Sequence, residues 1–417
     1  MTDISLVRGI TPTAPPMVIS SKDVVKTRVD QVCRSGLAAM DIKRLFPVQK
    51  ICTHLIVSRF HSPAFSPLDC DLCVSAPTGQ GKTLAYLLPI IHVLGNRSQN
   101  SPSALIVLPT RDLALQVATV AGHFSFERVT CLVGQTSIAE EKQVLNERSP
   151  AIIISTIGRL IDHLVLGSLD LSHLEWLVVD EADRMLSKSD LDKWTLILNS
   201  VPTSTQRLLF SATMTSNPLK LNKLKLTRPL FITIGQPDTP AVSEEYLVVP
   251  NKSMKVRCLI KLLEISKIER CLIFCNSNET VTSLSNVLKS LDADGELTVR
   301  PFSGNMSGKV REKLLAKFAN GRINCLVSTD VFTRGIDIAD IDLVLNFDMP
   351  SHSTTYIHRA GRTGRAGKSG RVVTLCETKQ MRHFRREIDI GHKCKKLHLD
   401  FSTVMKHAQL EGPLEKP

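Results

Sequence analysis

Ala76-Pro77-Thr78-Gly79-Gln80-Gly81-Lys82-Thr83 follows an apolar, β-rich run that begins at Leu72 and precedes a helical pattern. Gly79 and Gly81 can adopt the positive φ that turns successive backbone N–H groups toward one anion, and a helix starting at Lys82 adds its positive end. In such a loop Lys82 neutralises the β/γ-phosphates of a nucleotide and Thr83 faces Mg²⁺. The strict phosphate-loop pattern has glycine where Ala76 stands, so an ordinary strand-to-helix turn competes for the octapeptide read by itself.

Working outward, short apolar runs alternate with helical patterns. Ala104 to Leu108, Ala151 to Ile154, Trp176 to Val179 and Leu208 to Phe210 read as strands, with helices between them. That succession implies a parallel sheet covered on both faces, with ligands at the carboxyl ends of the strands, where the Lys82 loop falls. Gly235-Gln236-Pro237-Asp238-Thr239-Pro240 breaks the alternation and reads as an interdomain linker. Beyond it Leu272 to Cys275, Cys325 to Ser328, Leu343 to Phe347 and Val372 to Leu375 start a second α/β domain. This domain has no second phosphate loop, so one nucleotide site is expected to serve both halves.

The expected division is a flexible N-terminal extension over 1–35, a nucleotide-binding domain over 36–234, a linker over 235–242, a second domain over 243–378 and a basic extension over 379–417. Two domains suit 417 residues, and 43% hydrophobic content is ordinary for folded ones. Lys plus Arg at 52 against Asp plus Glu at 40 gives a net charge of +12, which favours a polyanionic partner if the excess gathers on one face. The cations between Lys379 and Lys396 read as a solvated helix face, with a nucleic-acid contact as the alternative. No apolar run reaches membrane-spanning length, because Leu84 to Leu94 is interrupted by Pro89 and His92. The 11 cysteines sit mostly in apolar runs and read as buried thiols of a reducing compartment. Cys70 and Cys73 have metal-ligand spacing but lead into a strand with no second close pair, so no zinc is assigned.

Asp180-Glu181-Ala182-Asp183 emerges from the strand Trp176 to Val179. Two adjacent carboxylates at the end of a buried strand call for a cation. Mg²⁺ bridged to phosphates supplies one, with Asp180 in the metal's shell and Glu181 placed to orient or deprotonate an attacking water. Acidic residues that cap a helix are the plainer reading of the tetrapeptide alone.

Taken with Ala76 to Thr83, this tetrapeptide resembles the DEAD-box RNA helicase family. The family's further motifs follow in order: Pro109-Thr110-Arg111-Asp112-Leu113-Ala114, Ser211-Ala212-Thr213, Ser328-Thr329-Asp330 with Arg334-Gly335-Ile336-Asp337, and His358-Arg359-Ala360-Gly361-Arg362-Thr363-Gly364-Arg365. The resemblance covers about Leu45 to Leu375 and implies two tandem RecA-like domains joined by a short linker. It carries over Arg362 and Arg365 as arginine fingers; one helical turn apart if their segment is helical, both could face a γ-phosphate. Asp337 is carried over as a nucleotide contact. Ser211, Thr213 and His358 join Asp183 in coupling hydrolysis to strand separation. Thr110, Arg111, Gly134, Thr156, Gly158, Arg159 and Thr329 resemble the family's RNA track; small, hydroxylated and cationic, they suit backbone contacts that carry no sequence information. Aromatic residues are 5% of the chain, and no run resembles a base-stacking platform.

Departures from the family pattern cluster at the adenine pocket. Gln49 resembles the glutamine that reads the adenine edge, but Leu45-Phe46 replace Pro-Thr, and no upstream aromatic stands ready to stack on the base. Gln80 replaces Ser, Ile157 replaces Pro, Gln135 replaces Gly and Gly308 replaces Gln. Phe46-Pro47-Val48-Gln49 with Asp71 to Thr78 is most similar to the subgroup acting in large ribosomal subunit assembly. The resemblance therefore implies an ATP- and Mg²⁺-dependent RNA helicase, monomeric, acting on single-stranded or duplex RNA, with pre-ribosomal particles and the nucleolus as its setting and the cytoplasm as the alternative. A non-catalytic RNA-binding scaffold on the same fold and a DNA-directed motor are the competing functions.

Overall fold

The computed structural model describes residues 4–8, 17–18, 30–60, 70–77, 79–95, 97, 101–186, 190–212, 224–234, 242–266, 270–291, 297–333, 341–364, 369–389 and 394–399. The chain divides into two compact units, Met1–Asp238 and Thr239–Pro417. That boundary falls inside the expected linker, of which 235–241 lie outside the described residues.

In the first unit the strands are β1 (Ile4–Arg8), β2 (Met17–Val18), β3 (Leu72–Ser75), β4 (Ala104–Leu108), β5 (Val129–Leu132), β6 (Ile152–Thr156), β7 (Trp176–Val179), β8 (Gln206–Ser211) and β9 (Leu230–Ile234). They form one sheet in the order β2-β1-β9-β3-β8-β7-β4-β6-β5. From β9 to β5 every pairing is parallel. β1 runs antiparallel to β9, and so brings part of the expected N-terminal extension into the sheet.

The sequence writes this sheet through double-sided burial. All five residues of β4 are buried: Ala104, Ile106 and Leu108 enter the core under one face, and Leu105 and Val107 the core under the other. A continuous apolar run of this kind is the signature of a parallel strand covered by helices on both sides. The helix Lys82–Leu94 supplies part of that cover and buries ten of its thirteen residues.

The second unit repeats the plan with β10 (Val242–Val249), β11 (Cys271–Phe274), β12 (Val299–Phe302), β13 (Cys325–Ser328), β14 (Leu343–Asn346), β15 (Gly370–Glu377) and β16 (Lys395–Lys396), ordered β12-β13-β11-β14-β15-β10-β16. Leu272 and Phe274 of β11 pack into one core, and Cys271 and Ile273 into the opposite one. The basic C-terminal stretch adds β16 to the sheet edge beside β10, while Phe384 stacks at 5.0 Å on Tyr246 and leaves Arg382, Arg385 and Arg386 exposed. All eleven cysteines are free thiols, nine of them buried. No helix among the described residues is long and apolar enough to cross a membrane.

Candidate nucleotide site and RNA-track residues

Ala76 and Pro77 continue directly from β3, and Gly79 and Gly81 take φ of +80° and +71°. Gly81 forms the left-handed N-cap of the helix Lys82–Leu94. A side chain is excluded there twice over, because a Cβ on Gly81 would lie 2.1 Å from Gln49 Nε2. Lys82 folds back over its own loop, and its Nζ donates to the carbonyls of Ala76 at 2.8 Å and Pro77 at 3.1 Å. Gln80 and Thr83 are half-buried beside it. Thr78 lies outside the described residues.

Gln49 is buried at the start of the helix Pro47–Phe60. Its Oε1 accepts from Phe46 N at 2.7 Å and its Nε2 donates to Gly81 O at 3.1 Å. The residue carried over as an adenine reader thus braces the Phe46 turn against the phosphate loop. Its amide is engaged at both ends by backbone.

The acidic tetrapeptide leaves β7 two strands from β3, with β8 between them. Asp180 is buried, and that burial, followed by the adjacent Glu181 carboxylate, pushes its acid up to about 6, while Lys82 and Tyr86 pull against the rise. Its Oδ1 accepts from Glu181 N at 2.8 Å and its Oδ2 from Tyr86 Oη at 3.0 Å. Glu181 sits at φ +53°, a left-handed conformation that a non-glycine residue keeps only where its surroundings impose it. Asp183 accepts from Ser211 Oγ, at the end of β8, at 2.7 Å. Two carboxylates and the Thr83 hydroxyl form a hard-oxygen set suited to Mg²⁺, and the raised Asp180 acid marks a site where a cation would relieve stored repulsion.

The RNA-track residues of this unit also stand at carboxyl ends of strands. Thr110 N-caps the helix Arg111–Gly122, its Oγ1 accepting from Leu113 N at 3.4 Å. Arg111 follows, and its Nε and Nη1 find no hydrogen-bond partner among the described residues. Gly134 and Gly158 face open space, since a Cβ on either would meet nothing within 4 Å. Gln135, which replaces the family's second glycine, takes φ +78°, so the backbone keeps a glycine-type conformation under a larger side chain.

Arg159 is held internally. Its Nε donates to Glu141 Oε2 at 2.7 Å and its Nη2 to Thr136 O. Glu141 Oε2 also meets His163 Nε2 at 2.8 Å, and its Oε1 accepts from Val133 N at 3.2 Å. Glu141 therefore ties the loop after β5 to the helix Ile157–Val165, whose N-cap is Thr156. Sequence reasoning missed it, although Arg159 and His163, four apart on one helix, were a signal that a shared acid lay opposite.

In the second unit Thr329 follows β13 directly, and its carbonyl accepts from Ser328 Oγ at 2.9 Å. The next residue, Asp330, binds Arg359 through two hydrogen bonds of 2.6 and 3.0 Å. Arg359 also donates to Asn346 Oδ1, Asp348 O and Asn276 Oδ1. It is a buried hub. The helix carrying it and His358, Ser353–Ala360, stops before Arg362. The helix that would set Arg362 and Arg365 on one face is not continued over the described residues: Gly361 to Gly364 turn instead, and Gly364 takes φ +67°. Arg362 Nε donates to His358 O at 3.3 Å. Arg365, Asp337 and Thr213 lie outside the described residues.

Comparison with known proteins agrees with this geometry. The DEAD/DEAH box helicase family model matches residues 47–221, and the helicase conserved C-terminal domain matches 254–367. DEAD-box ATP-dependent RNA helicase 1 of Arabidopsis thaliana is 33% identical over 420 residues, covering 85% of this chain and 79% of that protein. The probable ATP-dependent RNA helicase Dbp73D of Drosophila melanogaster is 35% identical over 439 residues, covering 89% of this chain; the chain spans 64% of that relative's length. The solved structure of Mss116p bound to ssRNA and AMP-PNP superposes with a TM-score of 0.79 at 26% identity, covering 95% of this chain and 85% of that one, which makes the two sheets tandem RecA-like domains. Ordered motifs, paired sheets and matched relatives agree, and the chain belongs to the DEAD-box family of helicases.

Proposed function

We propose that the chain is an RNA-stimulated ATPase that couples ATP binding and hydrolysis to local unwinding of RNA or remodelling of its protein complexes. The observation that carries this reading is the convergence of Lys82, after β3, and Asp180, after β7, at the same edge of the sheet with β8 between their strands, close enough for the ammonium to oppose the rise of the buried acid. The phosphate loop binds the triphosphate through Gly79 to Lys82. Thr83 and Asp180 would hold Mg²⁺, which when bound neutralises phosphate charge. Glu181 would orient the attacking water, a role that its retained left-handed backbone supports. Arg362 of the second unit is the finger this reading assigns, with Asp337 and Arg365 beside it in the family pattern.

RNA is the polyanion that Arg111, whose Nε and Nη1 find no hydrogen-bond partner among the described residues, the open Gly134 and Gly158, and Thr110, Thr156 and Thr329 support. Mss116p, similar at 26% identity, is bound to ssRNA and AMP-PNP. The likeness of Phe46 to Gln49 and Asp71 to Thr78 to the large-subunit assembly subgroup points to pre-ribosomal RNA as substrate and the nucleolus as setting; crosslinking in cells, with sequencing of the captured RNA, tests both. The activity itself is tested by ATP turnover with and without RNA, using DNA of the same sequence as control. Strong stimulation by RNA alone is expected. Equal stimulation by DNA would favour the motor reading, and no turnover at all would favour the scaffold.

A further inference from the structure

Tyr86 is wholly buried in the helix Lys82–Leu94, three residues after Thr83 and four after Lys82. That spacing sets its ring on the helix face directly beneath the phosphate loop. Its hydroxyl donates to Asp180 Oδ2 at 3.0 Å, while Oδ1 of the same carboxylate accepts from Glu181 N at 2.8 Å. Each oxygen of Asp180 is therefore gripped by one donor, and the plane of the carboxylate is fixed from both ends. The Thr83 hydroxyl acts on the same phenol, so the two residues assigned to the metal meet at one side chain.

The ring is itself immobilised. It stands edge-on to Phe210 at 5.1 Å and 62°, and Phe210 precedes Ser211, the partner of Asp183. Phenylalanine would serve that packing equally well, since the T-shaped contact uses the ring and not the oxygen. What the hydroxyl adds is a directed donor in a dry site, where a polar atom is retained only with a partner.

We propose that Tyr86 is a positioning residue of the nucleotide site, whose hydroxyl holds Asp180 in the rotamer that receives the metal's shell and so sets the magnesium dependence of nucleotide binding. This rests on the nucleotide reading above. Tyr86 touches neither phosphate nor reacting atom. Its removal acts through Asp180, which would keep one donor and turn freely about its terminal torsion.

The test is binding of a fluorescent ADP to the full chain across free Mg²⁺ concentrations and in EDTA. Tyr86→Phe should raise the Mg²⁺ concentration for half-maximal tightening about tenfold, as expected for loss of one hydrogen bond to a charged group, and leave affinity in EDTA unchanged. Phe210→Leu disturbs the ring's packing but keeps the hydroxyl; it should lower the thermal midpoint and leave the Mg²⁺ dependence alone. An unshifted dependence in Tyr86→Phe, or the same shift in both variants, overturns the proposal while nucleotide binding stands. A wild-type chain that binds no nucleotide at any Mg²⁺ concentration overturns the nucleotide reading and this one with it.

Discussion

Arg359 grips Asp330 through a forked pair of hydrogen bonds, 2.6 Å from Nε and 3.0 Å from Nη2, although 29 residues separate them. The fork joins the end of β13, where Thr329 stands, to the helix that precedes Arg362, so one buried guanidinium sets both. Its remaining donors satisfy Asn276, Asn346 and the Asp348 carbonyl, and its face lies 5.1 Å from the Phe274 ring.

Arg359→Ala should therefore destabilise the second unit by about 3 kcal/mol, chiefly by leaving the Asn346, Asn276 and Asp348 acceptors without their donor, since the Asp330 carboxylate is 42% exposed and regains water. Arg359→Lys should recover little of this, because an ammonium cannot reproduce the bidentate geometry. Urea denaturation followed by tryptophan-independent far-UV signal measures both, and a lysine variant as stable as wild type would contradict the hub role.

Gly81→Ala should cost about 1–2 kcal/mol from its left-handed backbone alone, and more from the collision with Gln49. Gln49→Ala relieves that collision. The double variant should then be less damaged than the sum of the singles, which a thermal-melt cycle reads directly.

Asp180 is raised to about 6 in the folded chain, above the ordinary carboxylate range. The folded state thus holds a proton there that the unfolded state has already released between about pH 4 and 6. Its favourable contribution is complete below pH 4 and lost as pH rises through 6. In EDTA without nucleotide, Asp180→Asn should melt higher than wild type at pH 7.5, and the gap should close toward pH 4. A gap that widens on acidification would have the wrong sign.

Glu141→Ala removes the shared acceptor of Arg159, His163 and Val133 N. RNA affinity should fall at least severalfold while ADP affinity in EDTA holds, since the loops it ties lie apart from the phosphate loop. Equal loss of both affinities would show general collapse of the unit instead.

How much of this was legible in the chain depended on where each group finds its partner. β4 and β7 could be read residue for residue, because every position is buried and apolar. β5 alternates half-buried and buried residues over only four positions, and β10 opens on Val-Ser-Glu-Glu, so neither carries a continuous apolar run. The site followed the same division. Lys82, Thr83, Asp180 and Glu181 belong to local patterns whose chemistry is written in their spacing. Tyr86 lies within an apolar run, and its partner is 94 residues away; Arg359 lies within an arginine-rich motif, and its partners come from three separate strand ends. Whether the segment carrying Arg362 is helical could not be read from its spacing; the helix ends at Ala360, and Gly361 to Gly364 turn.

ATP hydrolysis by the full chain, compared with and without single-stranded RNA in wild type and Lys82→Ala, tests the central claim most directly. Wild type should turn over faster with RNA, and Lys82→Ala should lose hydrolysis by roughly 10³-fold or more, since the ammonium is the loop's principal charge on the β/γ-phosphates. Arg362→Ala in the same assay should bind nucleotide yet fail to hydrolyse it. Turnover in Lys82→Ala equal to wild type, with RNA present, would contradict the account.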